Sequence, residues 1–274
     1  MTKKKKSIGV FDSGFGGLTI LRGLTKELSE YDYIYLGDTA RTPYGSRSED
    51  VIYEFTRQAV DFLFGKGCDL VILACNTASS EALRRIQKNH LPKFHPDKKV
   101  LGVIIPAAES AAEKTDSRRI GVIATEQTVA SQAFVREIRK LDPKVSVFQN
   151  PCPLLVPIVE AGEERSDIAA LALRKYLSPL LKKNIDTLIL GCTHYGILEK
   201  KIRTIIGPDI AVISEASVVP QKLRDYLKRH PEIEKILGKH RAHTFYSTDL
   251  TEKFERLGSR FFGKKISPKK AILN

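Results

Sequence analysis

The chain has 274 residues, 42% of them hydrophobic, and a formal net charge of +13. The length suits one large domain or two of ordinary size, and the apolar fraction is enough to fill a core. The sequence has no run of 18 apolar residues, which argues against a membrane span, and its four cysteines are too few for a disulfide scaffold.

The charge distribution bears on compartment and partners. Residues 1–10 carry lysines but no apolar run of signal-peptide length, so we expect a cytoplasmic protein with free thiols and a solvated tail. Lysines also cluster at 264–270, and the basic excess fits attraction of a small anionic substrate. A DNA-interacting protein is an alternative that rests on charge alone. Because no zinc-finger or RNP-type motif appears, specific nucleic-acid binding is not expected.

Short β-rich apolar runs alternate with amphipathic stretches along the chain. In the stretch 48–67, for example, Ile52, Phe55, Ala59 and Phe62 recur at helical spacing. This alternation predicts an α/β fold of parallel sheets flanked by helices. The predicted strands are 7–12, 31–38, 69–75, 99–104, 119–125, 144–150, 187–192 and 209–214.

Two pairs of these predicted strands have similar sequences. "IGVFDSG" (8–14) resembles "IGVIATE" (120–126), with starts that differ by 112 residues (120 minus 8). "LVILACNTAS" (70–79) resembles "TLILGCTHYG" (187–196), with starts that differ by 117 (187 minus 70). The similar offsets predict two pseudo-symmetric α/β lobes with a cleft between them.

A cysteine stands at the tip of each strand in the second pair, Cys75 and Cys192. Ligands of parallel sheets bind at the carboxyl ends of strands, so both thiols should face one cleft from opposite sides. If a helix begins just after each cysteine, its free N–H groups form an anion site. They would also favour the thiolate and lower the thiol pKa from about 8.5.

The other two cysteines and the histidines carry weaker signals. Cys68 and Cys152 lack polar partners in their motifs and are interpreted as small buried hydrophobes. The six histidines show no spacing typical of zinc ligands, so no metal site is predicted. A cysteine hydrolase needs one nucleophile and a histidine base, which leaves the second cysteine unexplained.

Two opposed thiols suit the inversion of a stereocentre by proton transfer. One thiolate removes the α-proton of an amino acid, and the opposing thiol delivers a proton to the other face. Because the α-proton is weakly acidic, the base must be desolvated, close and aimed. Nothing in the sequence suggests a pyridoxal-type electron sink, so no cofactor is expected, and donors around the carboxylate must stabilise the developing charge.

Six motifs, in matching order from about residue 8 to residue 220, resemble those of glutamate racemases in the aspartate/glutamate racemase family. They are "GVFDSGFGGLTIL" (9–21), "YLGDTARTPYGSRS" (35–48), "ACNTASS" (74–80), "TVASQAF" (128–134), "VPIVEAG" (156–162) and "GCTHYGIL" (191–198). The resemblance implies two α/β lobes around the active site and a cofactor-independent enzyme that supplies D-glutamate for peptidoglycan synthesis.

The resemblance also implies residue roles. Cys75 and Cys192 would be the two acid/base residues, assisted by Asp12, His194 and Glu160. The implied substrate-binding residues are Asp12, Ser13, Tyr44, Gly45, Asn76, Thr77, Thr193 and His194, with Thr125 and Thr128 near the carboxylates. Judged from the residues alone, Asp12 could instead cap the following helix, and Glu160 could be an exposed helix carboxylate.

The resemblance further implies a discontinuous first lobe. We expect residues 1–98 and 212–274 to form it, residues 99–211 to form the second lobe, and the protein to be a homodimer. The stretch "VISEASVV" (212–219) departs from the aspartate-containing version usual in the family. The last 14 residues, 261–274, are interpreted as a basic tail.

Two other functions stay open at this point. An aspartate racemase of the same superfamily has an analogous cysteine pair, and "DSGFGG" with "RTPYG" favours glutamate over it. A non-catalytic amino-acid binder is the second alternative, although a binder has no need for two thiols.

Overall fold

The computed structural model describes residues 6–273. Residues 1–5, which hold most of the predicted N-terminal tail, lie outside this range. Within it, no helix combines the length and apolar character needed to cross a bilayer.

The strands of the described chain pair in parallel throughout. They are β1 Ser7–Asp12, β2 Tyr33–Gly37, β3 Cys68–Leu73, β4 Lys99–Gly102, β5 Arg119–Ala124, β6 Ser146–Pro151, β7 Thr187–Gly191, β8 Ala211–Ile213, β9 His243–Ser247 and β10 Pro268–Lys270. All eight predicted strands are present, and β9 and β10 were not predicted.

The strands form two sheets with one repeated topology. The first sheet has the order β10-β9-β2-β1-β3-β4, and the second has the order β6-β5-β7-β8. The order β2-β1-β3-β4 in the first sheet therefore matches the whole second sheet. The sequence offsets of 112 and 117 join equivalent strands, β1 with β5 and β3 with β7. The predicted two-lobed α/β fold is confirmed.

Helices cover both faces of the sheets, which explains why the central strands are apolar runs rather than alternating patterns. The α-helices are Gly17–Glu27, Glu49–Gly65, Asn76–Glu81, Leu83–Arg85, Leu91–Phe94, Ile104–Lys114, Glu126–Ala130, Ala133–Leu141, Leu155–Glu160, Asp167–Leu181, Glu199–Ile206, Glu215–Arg229, Pro231–Glu234 and Glu252–Phe262. A π-helical segment spans Ile86–His90, and a 3₁₀ helix spans Thr193–Leu198.

The two lobes share one buried core. A single apolar cluster joins Val10 of β1 and Leu18 of the following helix to Ile123 of β5 and Leu190 of β7. The helix Glu215–Arg229 packs against helices that follow β1 and β4. The lobes are thus held together by continuous packing at the level of the cleft.

Strand pairing differs from the expected lobe boundaries at two places. Lys99–Gly102 pairs with β3 and so extends the first sheet beyond residue 98. Ala211–Ile213 pairs with β7 in the second sheet, so the expected boundary between residues 211 and 212 falls inside β8. Strand pairing decides membership of a sheet, and the sequence did not reveal these partners.

The prediction of a basic tail at 261–274 is wrong for the described part of that segment. It contains the end of the helix Glu252–Phe262 and the edge strand β10, which pairs with β9. Ile266 and Ala271 are buried. The apolar residues among these lysines anchor the segment, while the lysines face outward.

Candidate active site

The carboxyl ends of four strands surround one cavity of about 570 Å³. Ser13 follows β1, Cys75 follows β3, Thr125 follows β5 and Cys192 follows β7, and all four line the cavity. This is the position at which parallel α/β sheets bind ligands. The structure therefore brings both predicted thiols into one cleft between the lobes.

Cys75 stands at the N-terminus of the helix Asn76–Glu81 and caps it. The N–H of Ala78 donates to its Sγ at 3.5 Å, and the hydroxyl of Ser13 lies 3.4 Å from the same sulfur. Burial, together with the charge of Asp12, raises the pKa of this thiol to about 11, although both hydrogen bonds oppose the rise. The predicted helix is present, but the predicted lowering of the pKa is wrong because burial outweighs the N–H groups.

Cys192 has a different environment. It precedes the 3₁₀ helix Thr193–Leu198, and its Sγ lies 3.8 Å from Nδ1 of His194. Burial raises the pKa of the Cys192 thiol well above its ordinary value, against the effect of the His194 N–H. The lowering predicted for this thiol is also wrong, since the thiol is as deeply enclosed as its partner.

A chain of polar groups continues outward from Cys192. His194 Nε2 lies 3.4 Å from Glu160 Oε1, within ion-pair distance but without a well-aligned hydrogen bond. Lys253 Nζ lies 2.9 Å from Glu160 Oε2. Burial raises the pKa of Glu160, but His194 and Lys253 outweigh it and hold the pKa below its usual value. Glu160 is thus an ionised group in the cavity wall, not an exposed helix carboxylate.

Asp12 is buried beneath the cavity and is not one of its lining residues. Its Oδ2 accepts the N–H of Gly14 at 2.9 Å, and its Oδ1 accepts the hydroxyl of Thr193 at 3.3 Å. Burial raises the pKa of Asp12, while His194 and the N–H groups of Gly14 and Gly17 oppose the rise. The carboxylate therefore serves the helix start and also links the two lobes.

Gly16 allows the lobes to meet at this point. A Cβ atom there would lie 2.1 Å from Thr193 Oγ1 and 2.7 Å from His194 Nδ1, distances that no side chain tolerates. Gly16 thus lets the backbone of one lobe approach the loop that carries Cys192.

Three threonine hydroxyls join the lobes on the other side of the cavity. Thr77 Oγ1 lies 3.0 Å from that of Thr125 and 3.3 Å from that of Thr128, and Thr125 donates to Thr128 at 2.9 Å. Thr77 and Thr125 line the cavity, whereas Thr128 is buried behind them. The cluster offers hydroxyl donors to an anionic group.

The loop 42–46 covers the cavity, and it contains the predicted residues Tyr44 and Gly45. The hydroxyl of Tyr44 donates to Asp38 at 2.5 Å, and the carbonyl of Gly45 accepts the N–H of Gln127 at 3.3 Å. The loop therefore reaches from the first lobe to the second.

The sequence did not predict several residues of the site, among them Cys152, Lys253 and Glu215. Cys152 lines the cavity, although Cys68 does not, and the prolines around it after β6 were the available signal. Lys253 comes from a segment without a recognised motif. Glu215 is buried and accepts the side-chain N–H of Asn76 at 2.7 Å, and burial raises its pKa well above the usual value. Asn76 also lines the cavity, so Glu215 fixes its amide.

Paired lobes of one topology, with a thiol at the tip of the same strand in each, define a racemase-type isomerase. The family model for Asp/Glu/hydantoin racemases matches residues 8–219. The chain therefore belongs to the Asp/Glu/hydantoin racemase family and is an isomerase of the glutamate racemase type.

Full-length relatives share this assignment. A glutamate racemase of Geobacter metallireducens is 39% identical, over 95% of this chain and 94% of the relative. The crystal structure of glutamate racemase isoform RacE1 from Bacillus anthracis is 34% identical with a TM-score of 0.90, over 98% of both chains. That of the Francisella tularensis glutamate racemase, in complex with D-glutamate, is 35% identical with a TM-score of 0.88, also over 98% of both chains.

Proposed function

We propose that this chain interconverts L- and D-glutamate without a cofactor, by proton transfer between Cys75 and Cys192 on opposite faces of Cα. The observation that carries the proposal is the pair of thiols: they follow equivalent strands of the two lobes and line the same cavity. A two-base inversion requires this arrangement, whereas a cysteine hydrolase or a binding protein does not.

Polar donors of both lobes would hold the substrate. The helix N-terminus after Cys75, with Asn76 and Thr77, offers N–H and hydroxyl donors to a carboxylate. Thr125 and Thr193 supply hydroxyls from the second lobe. These donors would also stabilise the negative charge that develops on the substrate when the α-proton leaves. The loop with Tyr44 and Gly45 would exclude water, which strengthens each of these interactions.

One thiol must lose its proton before it can act as a base. Burial keeps the pKa of both thiols above its ordinary value in the free protein, so the two are mainly protonated at neutral pH. The substrate's ammonium group would bring a positive charge that stabilises a thiolate. At Cys192, Nδ1 of His194 would take the proton while Glu160 stabilises the resulting imidazolium from Nε2.

When the Cys75 thiol has given its proton to Cα, the hydroxyl of Ser13 and the N–H of Ala78 would stabilise the thiolate that remains by hydrogen bonding. Asp12 would position Thr193 and the turn after β1. In one direction Cys75 accepts the α-proton and Cys192 donates one; in the other direction the roles exchange. The proton removed from one face of Cα and the proton delivered to the opposite face are thus carried by different thiols.

Glutamate is the proposed substrate because full-length relatives carry that name and because the Francisella protein binds D-glutamate. We also propose that the product serves peptidoglycan synthesis, and that the protein acts in the cytoplasm as a homodimer.

The test follows L-glutamate by circular dichroism in D₂O, without pyridoxal phosphate or added metal. We expect loss of ellipticity with deuterium at Cα. Cys75→Ser and Cys192→Ser should each slow the reaction by about 10²–10⁴-fold, the usual contribution of one acid or base. Cys68→Ser is the matched control because its thiol is buried outside the cavity.

Inversion at near-wild-type rate by either cleft variant would disprove the two-thiol mechanism. If glutamate binds but neither enantiomer reacts, the protein is an amino-acid binder. If L-aspartate reacts and L-glutamate does not, the mechanism stands and the substrate is wrong.

A further inference from the structure

A cluster of metal-ligating side chains lies outside the cleft, between the helices that flank the first sheet. Asp61 belongs to the helix Glu49–Gly65, and its Oδ1 lies 2.7 Å from His90 Nε2 and 2.9 Å from His95 Nε2. These three atoms all lie within 4.8 Å of one another. Both imidazoles thus direct the same nitrogen at one carboxylate oxygen.

The backbone produces this convergence through an irregular turn. Residues five apart lie about 140° from each other around an ordinary α-helix, too far to share a ligand. Here the chain passes through the π-helical segment Ile86–His90, and the short helix Leu91–Phe94 then ends before His95. Such π-turns are rare and occur frequently at functional sites. The site was not predicted from the sequence because its third group, Asp61, lies on another helix.

The other oxygen of Asp61 is already fixed. Arg57 Nη1 donates to Asp61 Oδ2 at 2.7 Å, which leaves Oδ1 turned toward the imidazoles. Glu54 contacts the same guanidinium at 2.6 and 3.0 Å and neutralises its charge. Metal-binding carboxylates are typically oriented by outer partners of this kind. The negative charge of Asp61 therefore remains available to a cation.

We propose that Asp61, His90 and His95 bind a divalent transition-metal ion of the Zn²⁺ class. Two imidazole nitrogens and one carboxylate oxygen form a ligand set that zinc accepts, with a further position for water. That position would open into the adjacent groove of about 550 Å³, which the three ligands help to line.

The ligands must rearrange to accept the ion, because the two nitrogens and the oxygen lie within 4.8 Å of one another but do not yet surround a common centre. Tetrahedral zinc ligands at about 2.0–2.2 Å from the metal lie about 3.4 Å from one another, slightly more than the present N–O distances. His90 is buried, whereas His95 follows a helix end and is partly exposed, so His95 is the side chain that moves.

Metal binding here would tie together two elements that begin at the cleft. The helical run containing His90 starts beside Cys75, and the helix of Asp61 follows the loop of Tyr44. The ion lies at the opposite end of both elements, so it would stabilise the first lobe without touching the substrate. Ligand binding to the native state raises the melting temperature by mass action.

The test uses Co²⁺ as a spectroscopic substitute, titrated into chelator-treated full-length protein and followed by visible absorption and by calorimetry. We expect one equivalent to bind, with d–d absorption but no thiolate-to-cobalt charge transfer, and to raise the melting temperature. His95→Asn and His90→Gln should each weaken binding more than about tenfold.

His230→Asn is the matched control, since His230 also pairs with a carboxylate, Glu232 at 3.0 Å, but without a second imidazole. Equal Co²⁺ affinity in the wild type and in His95→Asn would overturn the proposal. So would a thiolate charge-transfer band that disappears in Cys192→Ser, because the ion would then sit in the cleft. If His90→Gln is poorly folded, His95→Asn alone decides the matter.

Discussion

The two halves of the cleft present the same chemical group in different surroundings. Cys75 caps a helix and contacts a hydroxyl and an N–H, both neutral donors. Cys192 contacts the imidazole of His194, which continues to Glu160 and Lys253. The repeated topology places the two thiols at equivalent strand tips, while the neighbouring side chains give each thiol a different route for proton exchange in the proposed mechanism.

Thermodynamics limits how this difference between the two halves can affect the kinetics. Two enantiomers have equal free energies in water, so kcat/KM must be the same in both directions for any racemase. A difference between the halves can only redistribute kcat and KM. Variants of one half should therefore lower kcat/KM equally in both directions while changing the individual constants unequally.

The largest effect is expected where the Cys192 half loses its proposed proton acceptor, His194. His194→Asn removes Nδ1, and kcat/KM should fall about 100-fold, within the usual range for an acid or base. Steady-state assays with each enantiomer would measure it, with His230→Asn as the control. A fall of less than about threefold would show that His194 takes no part in proton transfer.

The next comparison concerns the contact between the halves. Gly16→Ala would push a methyl group into Thr193, whereas a Cβ added at Gly14 would have its nearest neighbour 3.6 Å away. Urea denaturation should show a loss of about 1–3 kcal/mol for Gly16→Ala, typical of overpacking. Gly14→Ala should change stability by less than about 0.5 kcal/mol. Equal losses of stability in the two variants would mean that the close approach at Gly16 does not cause the loss.

Lys253 tests how far the polar chain of the Cys192 half extends. Its ammonium is half exposed, so the ion pair with Glu160 contributes about 1 kcal/mol or less. Lys253→Met should lower kcat/KM about two- to fivefold. Lys140→Met removes a comparable exposed ion pair with Glu137, and it should leave the kinetics unchanged. A similar decrease in both variants would indicate a general charge effect.

The smallest effect belongs to the Cys75 half and appears in the pH profile. Because the proposed base is a thiolate and the thiol pKa is raised, kcat/KM should increase from neutral pH toward the value of about 11 for Cys75. Ser13→Ala removes a hydrogen bond that favours the thiolate, so the alkaline rise should move upward by less than about one pH unit. A shift toward lower pH would contradict this account of Ser13.

Much of the fold was predictable because hydrophobic pattern and topology agree. Each of the eight predicted strands contains aliphatic residues, and the repeated offsets predicted the lobes. β9 and β10 were missed because they contain no aliphatic residue. In addition, β9 pairs with β2, more than 200 residues earlier in sequence, and β10 pairs with β9.

The candidate site was predictable where residues follow strand tips. Ser13, Cys75, Asn76, Thr77, Thr193 and His194 stand there and line the cavity. Lys253 and Glu215 were missed because helices late in the chain bring them to the site. The direction of the thiol pKa shifts was predicted wrongly, since the effect of a helix start is visible in the sequence but the extent of burial is not.

The late strands also set the order in which the protein can become functional during its synthesis. β9 inserts beside β2, and the following helix brings Lys253 to the cavity that begins at Ser13. A ribosome must therefore release almost the whole chain before the first lobe is complete. Until then the edge of β2 is unpaired and exposed to neighbouring chains, so the nascent protein has most need of chaperones just before it gains its site.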